Sequence, residues 1–208
     1  MGKLIDVPYF QQPKNSAKCG AACAVMLIKH YLGKKSDIDD VWKNVSAISP
    51  ELHREYCRTY RIGAYLSKVG LRSCTVRYSS LQPFLLFCNE KGIAPIINHK
   101  SFEDRIAGHF SVVKNISNNL VIINDPENKK RKSVPLSELE LMGSKSGEND
   151  EVGGNTAILP ISTFDFESRP CPSCGEDIDI SFTKLANRNN RLVIEDLCQT
   201  CDRFSSSQ

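Results

Sequence analysis

Nine cysteines and four histidines are the side chains of this chain best suited to chemistry, and their neighbours sort the cysteines into groups. Cys19-Gly20 follows a polar, proline-bearing loop, VPYFQQPKNSAK. An apolar helical pattern begins at once after it: Ala21, Ala22, Val25, Met26, Ile28, Leu32. This places a thiol in the first turn of a buried helix, where unpaired N–H groups carry partial positive charge and favour the thiolate. Gly20 leaves room for a close approach to the sulfur. Gln11 or Gln12 can offer a neutral donor to an oxyanion beside it. A cysteine in apolar company is more often a small packing residue, so partners elsewhere must carry the nucleophile reading. Those partners lie in GHFSVVKNISNNLVIINDP, Gly108 to Pro126. Two β-rich runs, His109–Val113 and Leu120–Asn124, flank the polar cluster Asn115–Asn119 and predict a hairpin. A three-residue loop, Ser117–Asn119, sets His109 opposite Glu127, with Asp125 diagonal to His109 on the same face. A two-residue loop would put them on opposite faces. With the odd loop, the hairpin supplies the base and the orienting carboxylate that an activated thiol needs.

The second group is CPSCGE followed later by CQTC. Cys171 and Cys174 are two residues apart, as are Cys198 and Cys201, with 23 residues between the pairs. Two tight turns of this kind can aim four thiolates at one Zn²⁺ in a tetrahedron, and Gly175 suits the turn after Cys174. A redox pair is the alternative, but the duplicated spacing favours a structural ion. A segment of this length is too short to hold a core of its own, so the ion would supply its folding energy. Asp177–Phe182 and Arg191–Glu195 are expected as short strands between the turns. Four closed ligands leave no position for catalysis, so the segment reads as a recognition or docking module.

The remaining elements must position these groups. Ser36 is the expected N-cap of a short helix through Trp42, and Ser49-Pro50 is expected to open another, through Tyr56, Tyr60 and Leu66 to Gly70, with Gly63 as its weak point. Leu71–Tyr78 reads as a strand, Ser80–Lys91 as a helix closed by Gly92, and Ile93–Asn98 as a second strand. Pro135–Met142 reads as a brief helix and Asn155–Ile161 as a strand completing the sheet. Gly153-Gly154 before it is taken as a turn. Helices first and sheet afterwards make an α+β domain. Cys57, Cys74 and Cys88 are assigned to packing, as is Cys23, one turn beyond Cys19. His30 is likewise a packing residue, His53 an exposed one, and His99 a structural residue at a strand end.

Composition narrows the class further. The 208 residues carry 40% apolar and 25% charged side chains, as a globular protein does, and no run approaches the ~20 apolar residues of a membrane span. The N-terminus has no signal-peptide pattern, and with nine cysteines this points to a reducing, cytoplasmic setting. From Phe164 onward five cations meet eight carboxylates, a balance of −3 that leaves +6 on the preceding residues. Such a tail is unsuited to nucleic acid. The basic run Lys129–Lys132 is read as a solvated loop.

Taken together, VPYFQQ, CGAAC before an apolar helix ending in HY, GHFSVV and NDP resemble the papain-like cysteine peptidases. The nearest branch is the bacteriocin-processing (double-glycine leader) peptidases, and the likeness runs over about Val7 to Ile161. It implies a papain-like fold in residues 1–163, with a small zinc-ribbon module in 164–208. By position, Cys19 is similar to the family's nucleophile, His109 to its general base, Asp125 to the residue orienting that base, and Gln12 to the oxyanion-hole glutamine. Gln12 is preferred to Gln11 because VPYF-x-Q is the family-like phrasing. The implied activity is hydrolysis of a peptide bond in a peptide or protein substrate, with the ribbon available to a protein partner. The alternatives are acyl transfer through the same thioester and a non-hydrolytic peptide-binding module on a peptidase-like fold.

Overall fold

The computed structural model describes residues 4–48, 53, 55–144, 154–188 and 190–207. It opens with a strap along residues 4–18 and three helices interrupted by a small hairpin: α1 Cys19–Leu32, α2 Ile38–Val45, β1 Ser46–Ile48, β2 Glu55–Cys57 and α3 Thr59–Lys68. There follow β3 Ser73–Tyr78, α4 Leu81–Glu90, β4 Ile96–Lys100, β5 Gly108–Ser117, β6 Leu120–Asn124, β7 Ser133–Pro135, α5 Leu136–Gly143 and β8 Thr156–Pro160. The C-terminal segment adds β9 Ser168–Pro170, β10 Asp177–Asp179, α6 Ser181–Asn187, β11 Val193–Leu197 and β12 Phe204–Ser206.

Eight strands form one antiparallel sheet in the order β12-β11-β3-β8-β4-β5-β6-β7. Apolar side chains line both of its faces. One core cluster joins α1, α2 and α3 to Ile96, Phe110, Val112 and Ile158. The other joins α4, α5 and α6 to Val76, Ile97, Val113 and Leu159. The helix α1 is buried without a break from Cys19 to Ile28, because Ala21, Ala22, Cys23 and Ala24 are small enough to let neighbours close on it from all sides. The result is the mixed α and β architecture expected.

Several local expectations need correction. The N-cap of α2 is Asp37, not Ser36: its carboxylate accepts the Asp39 and Asp40 N–H groups, the stronger capping arrangement for an ionised group. The helix expected from Ser49-Pro50 starts at Thr59, after β2 has paired with β1. Residues 49–52, 54, 145–153 and 189 lie outside those described, and with them Ser49, Pro50 and Gly153. Within the C-terminal segment, Ser181–Asn187 is a helix where a strand was expected through Phe182. The pull on it is tertiary: Phe182 is fully buried, edge-on to Phe84 and Phe87 in the main core.

The hairpin that carries the histidine reaches the expected register by another route. The turn has two residues, Asn118 and Asn119, both at positive φ (50° and 63°) between the paired Ser117 and Leu120. That is the twist-matched turn Asn favours. Left uncorrected, it would separate His109 from Asp125. A β-bulge between Val113 and Asn115 adds one residue on β5, so that Val113 pairs with Ile123 and Val112 with Asn124. Continued, this register sets Asp125 diagonal to His109.

The C-terminal segment does not stand apart from the rest. β11 pairs with β3, Val193 opposite Tyr78 and Asp196 opposite Val76, so the main sheet runs across the expected boundary at residue 163. Arg72 ion-pairs with Asp179 at 3.0 Å, and Arg77 ion-pairs with Glu195 while lying over the Phe204 ring.

Candidate active site and four-cysteine cluster

Cys19 is the first residue of α1. Lys18 occupies the cap position without a side-chain hydrogen bond, leaving the first-turn N–H groups to act at the helix mouth. Cys19 is buried, with 7% of the residue exposed. His109, near the start of β5, is buried beside it. Its Nε2 is 2.9 Å from Asp125 Oδ1, which leaves Nδ1 without that bond, and Cys19 is near enough to act on the ring. Burial by itself would lower the imidazole's pKa. The hydrogen bonds to Asp125 and Cys19, with the charges of both, overcome it and raise the value to about 10. The three groups expected to converge therefore do so.

Asp125 is fully buried and well supplied with donors. Its Oδ1 also accepts the Glu127 N–H at 2.9 Å, and its Oδ2 is bound by Arg131. Burial pushes this carboxyl up, but His109, the Glu127 N–H and Arg131 together hold it below the usual carboxylate range. Arg131 is anchored in turn, with Nη2 3.0 Å from Glu103 Oε1 and its guanidinium 4.3 Å from the Phe102 ring centroid. Reading Lys129–Lys132 as a solvated loop missed this residue. Its position in a dense basic run just past Asp125-Pro126 was the available signal.

Gln12 is buried and Gln11 exposed, matching the preference for Gln12. Its backbone N–H donates to Pro126 O and its side-chain Nε2 to Ser16 O, both at 2.9 Å. One amide proton therefore pins the loop before α1 and the second is available. The Oε1 atom is buried with no hydrogen-bond partner among the described residues.

Two nearby groups have supporting places. His99 is paired across the ladder with His109 and is fully buried. Its Nδ1 donates to Lys100 O at 2.7 Å, so its Nε2 accepts from Ser111 Oγ at 3.0 Å. Burial and the charge of His109 lower its pKa to about 3, which makes it a neutral backing for the His109 ring. Cys23 is wholly buried and donates to Phe110 O at 3.4 Å. Burial, with the charges of Cys19 and Asp125, pushes its thiol well up, which suits packing and not attack.

The four cysteines of the C-terminal segment also meet. All four sulfurs lie within 4.8 Å of one another; Cys171 and Cys201 are 3.7 Å apart, as are Cys174 and Cys198. A tetrahedral ion with sulfurs at ~2.3 Å would hold them about 3.8 Å apart, so the residues fit such an ion. The two turns are built alike. Gly175 N–H donates to Cys171 O with φ 79° at the glycine, and Asp202 N–H donates to Cys198 O with φ 59° at the aspartate. The cluster can hold a metal ion.

Among the described residues no helix is long and apolar enough to cross a membrane. The model of the peptidase C39 family matches residues 6–142, a span holding Cys19, His109, Asp125 and Gln12 and ending before the four cysteines. No curated protein sequence matches the chain. Among solved structures, a double-glycine-motif protease from an AMS/PCAT transporter, bound to its leader peptide, is 20% identical with a TM-score of 0.51; the match covers 76% of this chain and 94% of that one. The peptidase domain of Streptococcus ComA, a bifunctional ABC transporter, is 20% identical with a TM-score of 0.54, over 74% and 98%. A C39-like peptidase from Bacillus anthracis is 16% identical with a TM-score of 0.56, over 77% and 97%. At these identities the solved structures establish the fold, and the family match establishes kinship: the chain belongs to the peptidase C39 family.

Proposed function

We propose that this protein is a cysteine peptidase in which Cys19 attacks a peptide carbonyl, with His109 as its base and Asp125 orienting that base. The supporting observation is the bonded series from His109 to Asp125 and Arg131, with Cys19 beside the ring at the start of α1. With the Cys19 proton already resting on His109 Nδ1, as the raised imidazole pKa implies, the Cys19 thiolate forms a bond to the carbonyl carbon. The carbonyl oxygen becomes an oxyanion, held by the Cys19 N–H and the second Gln12 amide proton. Collapse breaks the carbon–nitrogen bond as His109 gives its proton to the leaving amine. Water, deprotonated by His109, then releases the acid from the thioester. Asp125 keeps Nε2–H bonded, so the nitrogen that gives and regains its proton is the one beside the sulfur, and Arg131 keeps that carboxylate ionised. An oxyanion donor of the Gln12 kind contributes about 2.7–4 kcal/mol.

The family relation and the leader-peptide complex of one structural neighbour favour a peptide substrate. Sequences containing Gly-Gly are the first to test. For the C-terminal segment, Cys171, Cys174, Cys198 and Cys201 would hold a structural Zn²⁺, the ion their soft sulfurs and spacing suit. It would hold together the two cysteine turns, whose own apolar support is Ile178 and Ile180, and would take no part in the reaction. Residues 164–208 form a module in this sense, docked on the body of residues 1–163.

The test is a thiol-directed activity probe on wild-type and Cys19→Ala protein, followed by a peptide-library screen. Labelling and cleavage should be lost together in the variant. Labelling that persists at another cysteine, with cleavage intact, contradicts the assignment. Labelling of Cys19 without cleavage of any peptide points to the binding-module alternative.

A further inference from the structure

The second cysteine turn, Cys198–Cys201, lies against the body through two side chains, and both meet α3. Gln199 donates from Nε2 to Ser73 O at 3.0 Å, in the crevice where α3 crosses β3. Gly63 explains its own presence in that helix: a methyl group there would stand 2.5 Å from Gln199 Nε2 and 2.7 Å from Thr75 Oγ1. At the head of the same helix, Arg58 Nη1 is 3.1 Å from Asp202 Oδ2. Two of the three residues flanking Cys201 and its turn thus hold one helix at two points.

The first turn of α3, with the residue before its cap, also meets the nucleophile helix. A methyl group at Gly20, the residue after Cys19, would lie 2.5 Å from Cys57 Sγ and 2.7 Å from Ile62 Cδ1. Cys57 precedes Arg58 directly, and Ile62 is one turn further along α3. The packing here is tight, because the glycine leaves no slack for either helix to drift without moving the other.

We propose that the Cys198–Cys201 turn is a brace for the nucleophile, with Gln199, Asp202, Arg58 and Cys57 as positioning residues that transmit its place to the first turn of α1. The proposal rests on the peptidase and metal readings above for its consequence, since a loosened turn would release α3 and let Cys19 shift against His109. It makes the peptidase sensitive to an ion that touches neither substrate nor catalytic group. A displacement near 1 Å at a reacting atom can lower a rate by about 10²-fold.

The test uses the full chain loaded with Zn²⁺ and the variant pair Gln199→Ala with Asp202→Asn, which keeps all four cysteines and a residue tolerant of positive φ at 202. Three quantities are read: zinc content, the alkylation rate of Cys19 by iodoacetamide, and amide hydrogen exchange over residues 19–23. The brace predicts full zinc content, alkylation slowed about tenfold or more and faster exchange in the first turn of α1. Arg58→Ala should reproduce the effect and Arg58→Lys should largely restore the wild-type values. Unchanged exchange at residues 19–23 in zinc-loaded variants overturns the brace. If wild-type Cys19 alkylates no faster than Cys74 or Cys88, it is the peptidase reading that fails, and the exchange data still decide the brace.

Discussion

The thiol–imidazole centre and the four-cysteine cluster are two assemblies of reactive groups held in different ways. At the first, the groups beside Cys19 are bonded one to the next: His109 to Asp125, Asp125 to Arg131, Arg131 to Glu103. The sheet, the bulge on β5 and the buried helix α1 fix the order without a ligand. At the second, four sulfurs converge in two short loops whose local apolar support is Ile178 and Ile180. There the packing is thin, and under the proposed metal reading an ion would do most of the holding. On the proposed reading, the first assembly exchanges protons during the reaction while the second stays closed on its ion.

This difference can be broken from either side. Cys19→Ala should have the largest effect, lowering kcat by about 10⁶-fold with the fold retained, as for removal of the nucleophile in other hydrolases. Peptide cleavage and circular dichroism check it. Asp125→Asn comes next, with a fall of roughly 10²- to 10⁴-fold in kcat and little change in KM, because the imidazole loses its fixed tautomer. On the other side, Cys171→Ser should abolish tight zinc binding and lower Tm, while cleavage falls only through loosening of the body. At 2–4 °C per kcal/mol for a chain of this size, a loss of ~3 kcal/mol would lower Tm by roughly 6–12 °C. Calorimetry with and without chelator measures this, and a Tm indifferent to chelation contradicts the metal reading.

The smallest effects are those of pH. His109 has a raised pKa in the folded state, so its protonation contributes stability in full below its ordinary 6.5, and the contribution is lost as pH rises toward about 10. Asp125 is lowered, so its contribution is present above the ordinary 3.8 and is lost as pH falls through the folded value. Arg131→Gln removes one of the groups holding Asp125 low. The acid unfolding midpoint should therefore move to higher pH, while the alkaline side keeps its slope. Denaturant titrations across pH read both limbs.

How much of this was legible in the sequence depends on distance along the chain. The cysteine turns are local, so spacing alone brought Cys171, Cys174, Cys198 and Cys201 together. Cys19 and His109 were legible through helix and strand patterns around them and through the family resemblance. The link to Asp125 was foreseen with the wrong device, a three-residue loop in place of an Asn118-Asn119 turn and a bulge. A bulge has no composition of its own here, since Lys114 looks like any exposed strand residue. Arg131 was hidden because a charge run reads as solvated until tertiary structure shows which member turns inward. The helix Ser181–Asn187 was missed because Phe182 is drawn into a core contributed by α4, far away in sequence.

The central claim is that His109, held by Asp125, activates Cys19, and site-resolved alkylation tests it most directly. Wild-type and His109→Ala proteins are treated with iodoacetamide near neutral pH, and the rate at Cys19 is followed by mass spectrometry with Cys74 and Cys88 as buried references. Cys19 should react much faster than either reference in the wild type and lose most of that advantage in His109→Ala. A Cys19 rate equal in the two proteins, or no greater than that of Cys74 and Cys88, contradicts the account.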